Sequence, residues 1–405
     1  MSEYRMPQPA DHAAWTRTLF LFSVAAAVTV STIYLPQPML ASIAANLGVE
    51  PTAASVIATG AQAGYALGIL LFVPLADRVH PKRQVTVQSI LLASALLVAS
   101  VMPVVAAAAV AFFAVGLVAN IPQVLIPVAN RLSPPDRRGA TTGALVGAIL
   151  VGIFGGRIVA GLLVDLIGWR LVLVVFASLV LALLPFVRHA LDVDLPLEGT
   201  PRRYGRLLLS TLGLIRHSLV LRETAATHFF IFATFNSLWT VMVLHLTGEH
   251  YGWTALGAGL FGAVGLAAGI LVPAVGRYID RFGALRVAGV LLAVMLVAVA
   301  SAALDSTVIV AFAISLFITT WANQAVLSAN QSRMMAANAG RTAQANTLFM
   351  FVVFLGGSAG AFLGPLAYDA GRMPLVAAQG TVFTLIALAI WSASALRARR
   401  TRTTE

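Results

Sequence analysis

The chain has 405 residues, of which 59% are hydrophobic and only 10% are charged, whereas soluble domains carry about 25% charged residues. A water-soluble protein of this size cannot bury so much apolar surface, so the composition indicates a membrane protein. The net charge of +11 is better explained by basic membrane loops than by a nucleic-acid partner. The absence of cysteine excludes disulfides and thiolate metal sites.

Twelve apolar segments follow in chain order, each close to the length of about 20 residues with which a helix crosses the hydrocarbon core. The first includes Ala41-Ser42-Ile43-Ala44, which resembles a signal-peptidase site, but its apolar run is too long for a signal peptide and we expect it to be retained. The sequence predicts an all-α integral membrane protein with twelve transmembrane helices, which lie at roughly residues 18–40, 53–75, 84–102, 105–129, 140–166, 169–187, 224–246, 254–275, 285–303, 307–329, 346–368 and 374–394.

Loop charges predict the orientation of these spans. When successive loops are assigned alternately to the two sides, 23 basic residues fall on the side of the N-terminus and only Arg170 and Arg372 fall on the other. Because basic loops are retained in the cytoplasm, both termini are predicted to be cytoplasmic.

An internal repeat predicts two homologous halves. Asp77 and Asp280, each in a charged loop between apolar runs, are 203 positions apart, and Asn130 recurs as Asn330 at nearly the same offset. Gly155-Gly156-Arg157 recurs as Gly356-Gly357-Ser358, so the repeat places a serine where the first half has an arginine.

The only long polar segment lies where the repeat predicts the boundary between the halves. We therefore predict a six-helix bundle at 1–187, a cytoplasmic linker at 188–223 with an interfacial helix near 202–217, and a second six-helix bundle at 224–405.

This organisation resembles the major facilitator superfamily, whose signature after span 2 is Gly-x-x-x-Asp-Arg-x-Gly-x-Arg-Arg. The first copy departs from it at Val73 and His80, where the family has glycine. The glycine-rich span 5 is similar to that of bacterial drug:proton antiporters, which implies a location in the bacterial inner membrane. The signature residues that the two copies retain are Asp77, Arg78, Lys82, Arg83, Gly276, Asp280, Arg281 and Gly283.

These signature loops are candidate conformational latches. Asp77 is at the C-terminal end of its helix, where the helix dipole disfavours a carboxylate, and the N-terminus of another helix would offer donors. The resemblance implies that Asp77 meets span 11 near 344–347 and that Asp280 meets span 5 near 139–142. Alternatively, the loop charges serve only to set the topology.

Arg157 is the most distinctive candidate for substrate binding. It lies inside span 5, where a cation costs roughly 2.5–3.5 kcal/mol on insertion scales. A cavity-facing arginine would favour anionic or dipolar substrates over cations, whereas an arginine that snorkels or binds backbone carbonyls would be structural.

Other polar residues recur inside the spans, often three positions apart and thus on one helix face. The resemblance implies that spans 1, 4, 7 and 10 line the central cavity, although bonds between helices would use the same residue types. His228 and His245 are expected to have a structural or interfacial role. The remaining candidates for substrate binding are Tyr34, Gln37, Gln62, Tyr65, Asn120, Gln123, Asn236, Trp239, Trp321, Asn323 and Gln324.

The sequence contains no nucleotide-binding loop, metal-ligand cluster or nucleophile elbow, and it predicts neither an enzyme nor a cofactor. The expected function is alternating-access transport of a small molecule across the bilayer by a monomer, with efflux favoured by the resemblance. A carrier for an anionic metabolite and a transporter-like sensor remain alternatives. All 15 acids fall in tails, loops or span ends, so proton coupling is left open.

Overall fold

The computed structural model describes residues 12–192, 204–248, 251–304 and 308–403. Within these residues the chain forms helices and turns, and ten helical stretches are long and apolar enough to cross a membrane. Two of them, Pro135–Ala190 with 56 residues and Ala339–Arg400 with 62, contain a break and are long enough to cross twice. The ten stretches thus supply twelve crossings, here named α1–α12, and the predicted all-α membrane fold is confirmed.

The crossings have the following bounds: α1 is His12–Ser31 with Pro36–Leu47, α2 is Pro51–Ala54, Val56–Phe72 and the short helix Pro74–Asp77, α3 is Pro81–Ser100, α4 is Val105–Val118 with Ile121–Leu132, α5 and α6 share Arg138–Ala190, α7 is Leu219–Thr247, α8 is Ala255–Leu260, Gly262–Ile270 and Val272–Phe282, α9 is Ala284–Ser301, α10 is Ile309–Ala337, and α11 and α12 share Thr342–Thr403. Tyr204–His217 forms the linker helix, within the predicted linker, of which residues 193–203 lie outside the described residues.

The backbone breaks at the two points where the sequence predicts a loop between spans. Gly168 separates α5 from α6 with φ 76°, a conformation that glycine adopts without steric cost. The corresponding break in the second half lies at Gly371 and Arg372, and Arg372 has φ 55°. Prolines in the first turn begin several of the helices, where their missing N–H is not needed.

The loops after α2, α4, α8 and α10 lie at one face of the bundle, which we call the basic face because Lys82, Arg83, Arg137 and Arg281 are there. The surface of the bundle exposes large apolar side chains such as Ile270, which is 77% exposed. Lipid accommodates such a surface, which explains the composition of the chain.

The first six crossings pack on the last six along two seams, α2 with α11 and α5 with α8. At the α5–α8 seam the backbones are in close contact, because a Cβ added to Gly161 would lie 2.5 Å from the carbonyl oxygen of Ala255. Gly139 and Gly143 of α5, and Gly276 of α8, have open space where a Cβ would lie. The two helices therefore meet toward the face opposite the basic face and diverge toward the basic face.

Candidate transport site

A cavity of about 180 Å³ lies between the two groups of six crossings. Its polar lining comes from both groups, with Tyr34, Tyr65 and Gln123 from the first and Gln324 and Gln331 from the second. The rest of the lining is aliphatic or aromatic, and none of the described residues that line the cavity is charged. Gln123 is nine residues from the end of α4 and Gln331 is six residues from the end of α10. Because both helices end at the basic face, the cavity lies toward that face.

Four of the twelve predicted substrate-binding residues line this cavity, namely Tyr34, Tyr65, Gln123 and Gln324. The sequence reasoning missed Gln331. Its signal was available, because Gln331 follows Gln324 by seven positions, which is two helical turns along the same face of α10.

Arg157 is 1% exposed and lies beside the cavity, behind two of its lining side chains. Its guanidinium carbon is 4.4 Å from the ring centroid of Tyr34, 4.8 Å from that of Trp239 and 5.3 Å from that of Phe154. Three aromatic faces around one cation give favourable cation–π contacts in a desolvated site.

The polar contacts of Arg157 are incomplete. Its Nε donates to Gln37 Oε1 at 2.9 Å and its Nη1 donates to the carbonyl oxygen of Ile153 at 2.9 Å. Nη2 is buried without a hydrogen-bond partner among the described residues. A buried donor with no acceptor costs free energy, so this nitrogen is suited to receive an acceptor from a substrate.

We call Tyr34, Gln37, Phe154, Arg157 and Trp239 the arginine cluster. It crosses between the two groups of helices, because Trp239 is on α7 and Gln37 Nε2 donates to Thr240 Oγ1 on α7 at 3.2 Å. The Trp239 indole donates to Thr320 Oγ1 on α10 at 3.0 Å. The Trp239–Thr320 bond lies within the second group, and the contacts of Gln37 and Arg157 with α7 close the bundle on the side of the cavity away from the basic face.

The other predicted substrate-binding residues lie outside the cavity lining. Asn120 accepts from Gln88 at 2.9 Å inside the first group of helices, and Asn323 donates to Gln324 at 3.3 Å. Asn236 donates to the carbonyl oxygen of Phe232, and Gln62 is fully buried. Trp321 lies in an apolar groove between α8, α9 and α10.

The predicted latch residues are placed as follows. The side chain of Asp77 lies outside the described part of the structure. Lys82 Nζ forms an ion pair with Asp192 at 2.6 Å, and this hydrogen bond and positive charge lower the pKa of the Asp192 carboxyl. Asp280 is exposed and makes no hydrogen bond or ion pair with any described residue. Its contact with α5 stays a prediction for a state in which the basic face is closed.

The remaining signature residues have local roles. Arg78 lies in the loop before α3, and Arg83 lies in the first turn of α3. The guanidinium carbon of Arg281 is 5.1 Å from the centroid of the Phe282 ring. Gly276 faces open space, and Gly283 ends α8 with φ 84°. That conformation explains the glycine of the signature at this position.

A contact of the predicted latch type is present at the opposite face. Asp165, near the end of α5, accepts a hydrogen bond of 2.8 Å from the backbone N–H of Leu256 in the first turn of α8. This contact joins the two groups of helices, and the sequence reasoning missed it because 91 residues separate its partners.

A twelve-crossing helical bundle with a cavity between two groups of six helices is the architecture of many membrane transporters. The model of the Major Facilitator Superfamily matches residues 20–361 and 224–404. The chain therefore belongs to the Major Facilitator Superfamily. It is a transporter and not an enzyme.

Relatives of similar length support this assignment. The chain is 33% identical over 382 residues to "Probable transporter SCO4007" of Streptomyces coelicolor, covering 94% of this chain and 87% of that protein. It is 29% identical to "Uncharacterized transporter YgaY" of Escherichia coli O157:H7, covering 94% and 96%. The solved structure of a bacterial homologue of the human lysosomal transporter Spinster, inward-facing and occupied, has the same fold, with a TM-score of 0.76, 15% identity and coverage of 95% and 98%.

Proposed function

We propose that this protein is a secondary active transporter that exports small, partly apolar and uncharged compounds by alternating access. The observation that carries the proposal is the lining of the cavity, which combines aliphatic and aromatic side chains with three glutamines and two tyrosines. Apolar surface gives such a site affinity, and a few amide and hydroxyl groups give it orientation. The absence of charge among the described lining residues disfavours strongly hydrated ions.

The proposal includes an orientation in which the basic face and both termini are cytoplasmic. Export would then load the cavity from the cytoplasm, where α5 and α8 diverge. Since the chain has no cysteine, Arg206→Cys on the exposed face of the linker helix provides a clean test. An impermeant thiol reagent is expected to label it only after cell lysis, and labelling in intact cells would refute the orientation.

The substrate class is tested with purified protein in proteoliposomes and a panel of matched neutral, anionic and cationic amphipathic compounds. We expect neutral compounds to be transported best. Gln324→Leu, which removes an amide from the cavity, is expected to reduce transport. Val310→Leu, at an exposed position of the same helix that does not line the cavity, is the control. Preferential transport of cations would contradict the proposal, and binding without net transport would favour a sensor.

A carrier for an anionic metabolite is the second candidate. The observation that favours it is the buried Arg157 Nη2, which has no partner among the described residues and lies behind the cavity-lining Tyr34. A rotation of the Tyr34 ring would bring a carboxylate or phosphate to this nitrogen. Anionic members of the same panel that are transported by the wild type and rejected by Arg157→Gln would identify this activity.

Resemblance to the antiporter branch supports the further proposal that export is coupled to proton entry. Proteoliposomes loaded with a pH-sensitive dye are expected to show proton movement when a transported compound is added. Transport that persists unchanged after the proton gradient is collapsed would exclude this coupling.

A further inference from the structure

A groove of about 590 Å³ lies on the outer surface of the bundle, between α8, α9 and α10, apart from the transport cavity. Its walls are aliphatic and aromatic, and most are open to the surroundings, with Tyr278 59% exposed and Val290 66% exposed. In a protein that spans the membrane, such a surface faces lipid. The volume is in the range of about 300–1,000 Å³ that is typical of sites for small ligands.

The groove has the length of one membrane leaflet. Leu271 and Phe282 line it at two points that are eleven residues apart along α8, or about 16 Å at the helical rise. This distance is close to half of the hydrocarbon core, about 15 Å. Phe282 ends α8 at the basic face, so the groove runs from that face to about the middle of the bilayer.

The end of the groove at the basic face is positively charged. Arg286, in the first turn of α9, lines the groove, is exposed and has no hydrogen bond or ion pair with any described residue. Arg277 and Arg281 lie in the last two turns of α8, together with the single acid Asp280. The groove thus joins an apolar channel of leaflet length to a guanidinium that lies at the level of the lipid headgroups and has no partner among the described residues.

We propose that this groove binds an anionic phospholipid from the leaflet at the basic face, with an acyl chain along α8 and α9 and the headgroup phosphate on Arg286. A guanidinium binds phosphate with two parallel hydrogen bonds. The excess of arginine over acid at the same end selects a lipid with net negative charge over a zwitterionic lipid. The Tyr278 hydroxyl is also suited to the interface between headgroups and acyl chains.

Trp321 allows a direct test, because its ring lines the groove and brominated acyl chains quench tryptophan fluorescence on contact. The full-length protein is placed in phosphatidylcholine vesicles that contain increasing fractions of brominated phosphatidylglycerol or brominated phosphatidylcholine. The difference between wild type and Trp321→Phe isolates the fluorescence of Trp321. We expect half-maximal quenching at an about fivefold lower fraction of the anionic lipid, as expected for one basic contact.

Two variants with the same change of charge separate the site from general surface attraction. Arg286→Gln is expected to abolish the preference, while Arg188→Gln, at the exposed end of α6 in the first half, is expected to retain it. Ala274→Phe, which fills the groove, is expected to reduce quenching by both lipids. Equal quenching by the two lipids in the wild type, an unchanged preference in Arg286→Gln or an equal loss in Arg188→Gln would overturn the proposal. If Arg286→Gln fails to fold, Arg286→Lys replaces it. Because lysine keeps the charge but not the two parallel hydrogen bonds, this variant is expected to show a reduced preference for the anionic lipid.

Discussion

Removing the Asp165 carboxylate is predicted to shift the transporter toward the state that is open at the face opposite the basic face. Asp165 accepts the Leu256 N–H at 2.8 Å, as an N-cap residue would, but from another helix and from the other half of the chain. Loss of an N-cap side chain costs about 0.5–2 kcal/mol, typically about 1 kcal/mol. Because the contact exists only while this face is closed, Asp165→Ala is expected to change the ratio of the two states about fivefold.

The shift is measured by double electron–electron resonance spectroscopy, which gives the distances between spin labels attached at Gly139→Cys and Gly276→Cys. A side chain added at either glycine meets no atom within 4 Å, and the chain has no native cysteine. These positions lie at the basic-face ends of α5 and α8, which must approach each other when that face closes. The population of long distances is therefore expected to fall in Asp165→Ala and to fall less in Asp165→Asn, which keeps an acceptor oxygen.

Asp369 provides the matched control. It is near the end of α11, where the repeat places the counterpart of Asp165, but it is exposed and has no hydrogen bond with the residues the structure describes. Asp369→Ala should leave the distances unchanged. If Asp165→Ala gives the wild-type distribution, or if Asp369→Ala shifts it equally, Asp165 does not hold the opposite face closed.

Substitutions at three further residues test the surroundings of buried or charged groups. Arg157→Ala is expected to abolish most transport in proteoliposomes. Arg157→Lys is expected to retain a small part, because lysine keeps the positive charge but lacks the planar guanidinium group. Transport at the wild-type rate by Arg157→Ala would show that Arg157 has only a structural role. His228 is buried between Phe232 and Phe349, and neither of its ring nitrogens is bonded to a described residue. His228→Phe is therefore expected to raise the free energy of unfolding by about 1 kcal/mol. A lower unfolding temperature for this variant would show that the histidine nitrogens bind a partner. The pKa of Asp192 is lowered by Lys82. The ion pair therefore stabilises the protein fully above the ordinary carboxyl pKa of about 4, and this stabilisation is lost as the pH falls through the lowered pKa. The unfolding temperature of Asp192→Asn should lack this acid-dependent decrease.

The sequence predicts the crossings well because the bilayer imposes a simple requirement. Each crossing needs about 20 apolar residues with every backbone group bonded within the helix, so the segments and the breaks at Gly168 and Gly371 can be read from hydropathy and glycine. The arginine cluster could not be derived in the same way. Arg157 and Gln37 are 120 positions apart, and only the packing of the folded bundle decides which polar side chains meet.

Two site predictions show where helical spacing alone is insufficient. Their spacing predicts that Asn120 and Gln123 share one helix face, but α4 is interrupted between Val118 and Ile121. Asn120 therefore turns to Gln88 while Gln123 reaches the cavity. Trp321 and Gln324 are three positions apart on a continuous helix, yet one lines the outer groove and the other the cavity. Positions three residues apart differ in direction by about 60° around the helix axis, and this difference is enough for the two side chains to face different neighbouring helices.

The structure also gives a physical meaning to the asymmetry of the repeat. Arg157 and Ser358 occupy equivalent positions, and both make contacts that cross between the halves. Arg157 contacts Trp239 of α7 through its guanidinium, whereas Ser358 Oγ donates a single hydrogen bond of 3.2 Å to the carbonyl oxygen of Thr59 on α2. A buried cation among aromatic rings costs more to separate than one neutral hydrogen bond. Arg157 thus holds α5 against α7 and Asp165 holds α5 against α8, so opening the face opposite the basic face must break both of these attachments of α5 to the second half. A ligand that satisfies Arg157 would therefore lower the cost of separating α5 from α7, which is the differential interaction that alternating access requires of its substrate.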